Sequence, residues 1–477
     1  MNRSTFKIML FFLLLLYSSV SFSQADSLNL KIKLDSLLTS DFFSRTQIAI
    51  DVYDLTSEKP VYSKNEKLLV RPASIEKIFT TSAALKFLDS DFNFETSVYY
   101  TGKIEDSVCT GDIIIVGGFD PDFSIRDLDS LVREIKNYGI NKISGNLYAD
   151  VSAGDSLFLG NGWMWDDDPG AFFSNLSPMN INQNSIQIIY EPGEIGKPAV
   201  VNLFPENNFT GIKNNSVTID TGKSTINITR DWINRNNTIL ISGNIPKDKL
   251  RDTVSLNIYN PSFYFLNLMK ESFKRNGIAF EGKIDTLSLI EDADDIFTIE
   301  RNLDSVIVPA NKTSNNLDAE MILRAIALEN ISKHIGAKKG IVFVDSLITI
   351  AGFNPKDYRI VDGSGLSFYN LISAELTTGL FKYFYTEDED LFIRLYNSFP
   401  ISGFDGTLKN RMNNSSVEKR VHAKTGSMSG INNLAGYLRT KNGSLLAFSI
   451  FVQNFVGSHA QARLIQDKIC ELLFEGL

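Results

Sequence analysis

From Asn93 to Ile299 the chain is a succession of short alternating runs, "GDIIIVGG", "SIQIIYEP", "STINITRDW" and "TVSLNIYN", broken by Asn and Gly. Runs of that length with that punctuation build sheets. On either side the pattern differs. Residues 44–56, "SRTQIAIDVYDLT", alternate as a strand, and "KPVYSKNEKLLV" reads as its hairpin partner. A helix follows over 73–87, where Ile75, Ile78, Phe79 and Leu85 recur close to helical spacing. From Asn302 onward helices return, in "NLDAEMILRAIALENISKHI" and over 372–386. Then "NNLAGYLRT" and "SLLAFSIFVQN" flank an Asn442-Gly443 turn before a closing helix. A strand–helix opening and a helix–strand–strand–helix closing predict one α/β domain split by a long insertion. Inside it, 186–256 is richest in Asn and β-branched residues, which marks a nested β module. The expected division is 24–92 with 300–477, then 93–185 with 257–299, then 186–256. A chain of 477 residues has room for all three.

The first residues belong to a different signal. Arg3 and Lys7 precede an uncharged apolar run from Ile8 to Tyr17, and small residues follow at Ser21 and Ser23. That order predicts a signal peptide over 1–23, cleaved before Gln24. Ten apolar residues fall short of the roughly 20 that span a bilayer, and no later stretch is long enough either. A periplasmic or secreted location follows. Cleavage removes two positive charges from a net −9, leaving −11. An acidic chain without a basic stripe is a poor partner for nucleic acid. Cys109 and Cys470 are too few for a disulfide framework and are expected as buried thiols. His334, His422 and His459 have no ligand spacing, so neither a metal nor a cofactor is expected.

In "RPASIEKIFTTSAAL", Ser74 and Lys77 stand three apart at the head of a helix and share a face. A hydroxyl beside a neutral amine is a nucleophile with its base, and the amine stays neutral only if burial or a nearby cation depresses its pKa. Ser-x-x-Lys alone means little, since Ser416 and Lys419 repeat it. Two further motifs follow in order: Ser314-Asn315-Asn316 just before a helix, and Lys424-Thr425-Gly426 on a strand. Ser314 can relay a proton to a leaving amine. Asn316 is placed to donate to Lys77 and to a substrate amide. Lys424 and Thr425 offer a charge and a hydroxyl to a substrate carboxylate, and Gly426 lets the strand approach a ligand. The N–H groups of Ser74 and Ser427 are the expected oxyanion donors. Glu76 reads as a solvated helix residue. His422 shares a strand face with Lys424, but a lysine already fills the base position.

Ser-x-x-Lys, Ser-x-Asn and Lys-Thr-Gly in that order are the active-site set of penicillin-binding proteins and serine β-lactamases. The 240 residues between Ser74 and Ser314 set this chain apart from the latter. With "GDIIIVGGFDPDFS", "GNLYADVS", "VDGSGLS" and "AKTGSMSGINNLAGYL", it resembles the D-alanyl-D-alanine carboxypeptidase/endopeptidase family of low-molecular-mass class C penicillin-binding proteins. The resemblance covers nearly the whole chain after residue 23. It implies a transpeptidase-like domain, an antiparallel sheet flanked by helices, interrupted by two smaller domains. It implies hydrolysis of peptidoglycan stem peptides through an acyl-serine, and covalent trapping by β-lactams. It also implies that Asp150 binds the amino group of the peptide's diamino acid, with Met428 as a wall of the same pocket. Phe368 stands where some relatives carry an arginine, which leaves the preferred diamino acid open. Competing readings are a β-lactamase, a D-amino-acid esterase or amidase with the same residues, and a catalytically silent wall-binding protein. No glutamate motif suited to activating a deacylating water stands between Ser74 and Ser314.

Overall fold

The computed structural model describes residues 28–477 except 290–291 and 332–333. The expected signal segment lies outside the described residues. Among those described, no helix is long and apolar enough to cross a membrane.

The two ends of the chain meet in one antiparallel sheet. Its strands run in the order Lys59–Lys64, Gln47–Asp54, Leu445–Gln453, Ile431–Arg439 and Val421–Met428. The first strand of the chain therefore pairs with the last, across everything inserted between them. Leu445–Gln453 is buried at every position, because helices cover both faces of the sheet and a central strand then needs an apolar run instead of alternation. On one face lie the helix over 28–37 and the closing helix Ala460–Glu475, packed through Leu30, Leu34, Ile465, Ile469 and Cys470. The other face carries a larger layer of helices: Glu76–Phe87, Leu303–Lys312, Asn316–Ile331, Ala337–Ile350, Ala374–Glu387 and Glu389–Ser398.

The helix read over 73–87 is two elements. Ala73–Ile75 is a 3-10 turn and Glu76–Phe87 the α-helix, so Ser74 sits on the tight turn rather than inside the helix. Its apolar spacing is only part of its burial, since every residue from Glu76 to Leu85 is buried. Glu76 is not solvated. It is 0% exposed and neither carboxyl oxygen has a hydrogen-bond partner. The helix is wedged among its neighbours on all sides, so no face is left for water. Burial first, and Asp362 next, push the Glu76 carboxyl well up, toward its neutral form.

The inserted stretch builds a second five-stranded sheet, ordered Ile284–Thr286, Leu147–Asp150, Ile113–Gly117, Asn93–Tyr100 and Asp294–Asn302. Ile113–Gly117 and Leu147–Asp150 are parallel, joined through the helix Ile125–Asn137. That helix is capped by Ser124 and Asp127 and buries Leu128, Leu131, Val132 and Ile135. Its i, i+3, i+4, i+7 spacing was present in a region read as strands. A second helix, Pro261–Asn276, packs on the same core. Within 186–256 lie short strands, and the strand Ser185–Glu191 that opens this segment pairs with Asp252–Asn257, which closes it. Cys109 and Cys470 are buried free thiols, as expected.

Candidate active site

Three segments converge under the edge strand Val421–Met428. Lys77 comes from the first turn of its helix, and its Nζ lies 3.0 Å from Ser74 Oγ, 2.6 Å from Asn316 Oδ1 and 2.7 Å from the Ser364 carbonyl oxygen. Asn316 Nδ2 donates to the Phe172 carbonyl at 2.8 Å. That contact fixes the amide orientation, because only the nitrogen can donate to a carbonyl. Asn316 therefore accepts from Lys77, the reverse of the direction expected from sequence, since a lysine amine offers N–H groups for which only the amide oxygen is a partner. On the other side Lys424 Nζ lies 2.7 Å from Ser314 Oγ and 2.8 Å from the Thr425 carbonyl. Ser314 holds φ 64, a left-handed turn between the helix Leu303–Lys312 and the helix headed by Asn316.

The edge strand faces this cluster with a specific set of backbone groups. Ala423 N–H donates to Pro400 and Val421 N–H to Ser402 Oγ, both away from the neighbouring strand. Direction alternates along a strand, and the pairing with Ile431–Arg439 has no register shift. The N–H groups of Thr425 and Ser427 therefore face the open edge. Gly426 has a role the sequence did not reveal. A Cβ there would stand 2.7 Å from the Pro72 carbonyl and 3.1 Å from Ile75 N. The missing side chain lets the strand close on the turn that carries Ser74. Thr425 Oγ1 meets Thr407 Oγ1 at 2.8 Å, and Met428 ends the strand, partly exposed.

Lys77 and Lys424 are both 0% exposed. Burial lowers Lys77 to about 8, with Asp362 and Glu320 opposing. Burial, then the neighbouring Lys77, also push the Lys424 ammonium well down. The fixed cation expected at Lys424 is thus biased toward neutral, and an anion beside it would reverse that.

Several further residues support the cluster. Glu320 accepts the N–H groups of Gly363 and Ser364, both at 2.9 Å, and pairs with Arg324. Asp362 accepts from Gly365 N, Ser367 N, Asn370 Nδ2 and Trp163 Nε1 at 2.6–3.0 Å. Burial, then Glu320, raise Asp362 to about 6. Together these carboxylates hold the 362–367 loop so that Ser364 offers its carbonyl to Lys77. The loop itself was marked in the sequence, as the stretch "VDGSGLS" that carries part of the family resemblance and has turn-forming composition; Glu320 and the bonds that hold the loop were not. Phe368 lies under the Arg71 guanidinium, 5.6 Å from ring centroid to carbon, and its carbonyl accepts from Arg71 Nε. His422 stacks on Tyr396 at 4.1 Å. Asp150 is not joined to the cluster. Its carboxylate accepts from Ser152 N and Leu289 N, and it lines a separate cavity with Ser97, Tyr99 and Glu329.

A serine and two buried lysines at the edge of a helix-flanked antiparallel sheet is the architecture of the penicillin-binding class of serine peptidases. Comparison with known proteins agrees. The model of the D-Ala-D-Ala carboxypeptidase 3 (S13) family matches residues 30–475, and the chain belongs to that family of hydrolases. The D-alanyl-D-alanine carboxypeptidase DacB of Haemophilus influenzae is 28% identical over 444 residues, covering 92% of this chain and 91% of its own. The D-alanyl-D-alanine carboxypeptidase of an Actinomadura species is 29% identical over 459 residues, covering 93% and 84%. The crystal structure of penicillin binding protein 4 (dacB) from Haemophilus influenzae has the same fold, with a TM-score of 0.82 at 24% identity over 93% of this chain and 98% of that one.

Proposed function

We propose that this chain is an exported D-alanyl-D-alanine carboxypeptidase and endopeptidase that works on peptidoglycan stem peptides through an ester on Ser74. One observation carries the mechanism. A neutral lysine amine has two N–H groups and one lone pair. Lys77 meets two pure acceptors, Asn316 Oδ1 and the Ser364 carbonyl, and one hydroxyl, Ser74. The two N–H groups go to the acceptors, and the lone pair remains for the Ser74 proton. The neutral base is fully satisfied in the geometry that general-base catalysis requires.

In the reaction, Ser74 Oγ attacks the carbonyl of the penultimate D-alanine while Lys77 takes its proton. The oxyanion is held by the N–H groups of Ser74 and Ser427. The C–N bond breaks, the departing amine receives a proton through Ser314, and D-alanine leaves. Water then attacks the ester, with Lys77 again as base, and frees Ser74. Lys424 and Thr425 receive the terminal carboxylate. Cleavage of cross-links follows the same steps with a larger leaving group. A β-lactam forms the same ester, but its opened ring keeps the leaving amine attached. Met428, at the end of the edge strand, is a wall for the substrate side chain. Asp150 is assigned no step. The domain division given above, 24–92 with 300–477 around 93–185, 257–299 and 186–256, is part of this reading and is supported by the pairing of the first and last strands.

Intact-mass spectrometry after penicillin exposure tests the nucleophile and the class together. One drug mass on the Ser74 peptide is expected. An unmodified Ser74, or continuous turnover of nitrocefin instead of one stoichiometric burst, would overturn the assignment in favour of another hydrolase.

A further inference from the structure

The segment between the inserted sheet and the nested strands passes the active site and then forms a second cavity. Phe172 gives its carbonyl to Asn316, and the next residue, Phe173, lines a cavity of about 470 Å³ together with Phe158, Trp165, Asn175, Trp232 and Tyr259. That volume falls in the range of small-molecule sites, roughly 300–1,000 Å³.

Two features of its wall specify the ligand. Trp165 is 68% exposed, and its ring meets that of Trp232 from the nested segment at 5.2 Å. Phe158 and Tyr259 form a second ring pair at 5.8 Å. Exposed ring faces with a negative quadrupole take the weakly positive C–H faces of a sugar ring. Asp168, held by the buried Arg230 at 2.6 Å, adds an acceptor for hydroxyl groups. A ligand with apolar ring faces and hydroxyl donors matches both.

We propose that this cavity binds an N-acetylated sugar of the glycan strand, the sugar ring lying on Trp165 and Trp232 and its hydroxyl groups donating to Asp168. The proposal rests on peptidoglycan being the substrate. It gives the nested segment a function: Trp232 completes a subsite beside the catalytic asparagine.

The test uses the full chain and two readouts. In saturation-transfer NMR, a β-1,4-linked disaccharide of N-acetylglucosamine shows transfer to its acetyl methyl groups with the wild type and loses it in Trp165→Ala and Trp232→Ala. The second readout is the ratio of kcat/KM for a disaccharide-linked pentapeptide to that for the sugar-free pentapeptide. The ratio cancels the fraction of folded enzyme, and it falls about tenfold in Trp165→Ala, the size of one lost ring contact. Trp232→Ala removes the other ring of the pair and lowers the ratio likewise. An unchanged ratio in both variants, or no transfer to the wild type, overturns the proposal. Failure of the wild type to release D-alanine from the sugar-free peptide overturns the carboxypeptidase reading instead, and the transfer experiment still decides the sugar site.

Discussion

If Lys77 is the base, acylation follows its neutral fraction. A fall from 10.5 to about 8 favours the neutral amine by roughly 3 kcal/mol. At pH 7 about 9% of the enzyme then carries the free base, at pH 8 about half, and at pH 9 about 90%. The rate constant for acylation by penicillin should climb about ninefold from pH 6 to 7, about fivefold from 7 to 8, and less than twofold beyond. The sign is that of a cation that must lose its proton, so activity is lost as pH falls through the value of the folded state. The control is Asn316→Asp. It places a carboxylate where Oδ1 now lies 2.6 Å from Lys77 Nζ, and an opposite charge that close raises an ammonium by about 1–3 pH units. The limb should move to about 9–11, and the rate at pH 8 should fall by about 5-fold to 500-fold. Stopped-flow acylation between pH 6 and 11, with the adduct counted by mass, reads both. Because Asn316 touches Lys77 and not Lys424, the variant also separates the two lysines. A flat wild-type profile from pH 6 to 9, or an Asn316→Asp limb at lower pH, would refute the reasoning.

Three further outcomes are expected. Because burial and Lys77 depress Lys424, a carboxylate ligand should draw up to about one proton onto it. Calorimetry of Ser74→Ala with a D-alanyl-D-alanine peptide should then give enthalpies that differ between phosphate and Tris at one pH, and equal enthalpies reject the idea. Gly426→Ala drives a Cβ against the Pro72 carbonyl and displaces the Ser74 turn, which should slow acylation about 100-fold with the far-UV circular dichroism retained; a near-normal rate means the strand does not position the serine. Asp362→Ala leaves four buried donors unpaired, each costing about 1–3 kcal/mol. Urea unfolding should show a loss of at least about 3 kcal/mol, and a smaller loss means the loop stands without it.

The parts of this protein written in local patterns were readable from sequence. Alternation gave the strand around Ile48 to Val52, and an unbroken apolar run gave Leu445–Gln453, where two covered faces remove the need for polar residues. The residues that the structure gathers into one cluster, Ser74, Lys77, Ser314, Asn316 and Lys424, were readable because the chemistry proposed for them needs fixed types at fixed offsets. What could not be read depends on tertiary neighbours. Glu76 looks like any helix glutamate, and only the packing of its tertiary neighbours makes it a buried acid. Gly426 looked like room for a ligand, and the structure fills that room with the Pro72 carbonyl. The carbonyls of Ser364 and Phe172 are invisible in sequence, since backbone groups have no residue identity. The helix Ile125–Asn137 is a different case: its apolar spacing was present and was outweighed by strands around it.

The insertion is structurally part of the site and not an ornament on it. Asn316 would lose the acceptor of its Nδ2 without the Phe172 carbonyl, and the 362–367 loop would lose Trp163 Nε1 from its central carboxylate. Gln183 makes a third tie. Its side chain accepts from Asn315 at 2.7 Å and donates to Asp318 and Asp122. Asp318, two residues past Asn316 in the same helix, is fully buried, and burial and then Asp122 push it well up. Without the burial and the Asp122 charge that the insertion supplies, it would ionise more readily and raise Lys77, with which it interacts. A core trimmed to 24–92 and 300–477 would therefore keep Ser74, Lys77 and Lys424 but lose the Phe172 partner of Asn316 and what holds Asp318 toward its neutral form. The long gap between Ser74 and Ser314 holds residues that bond directly to the cluster around Lys77.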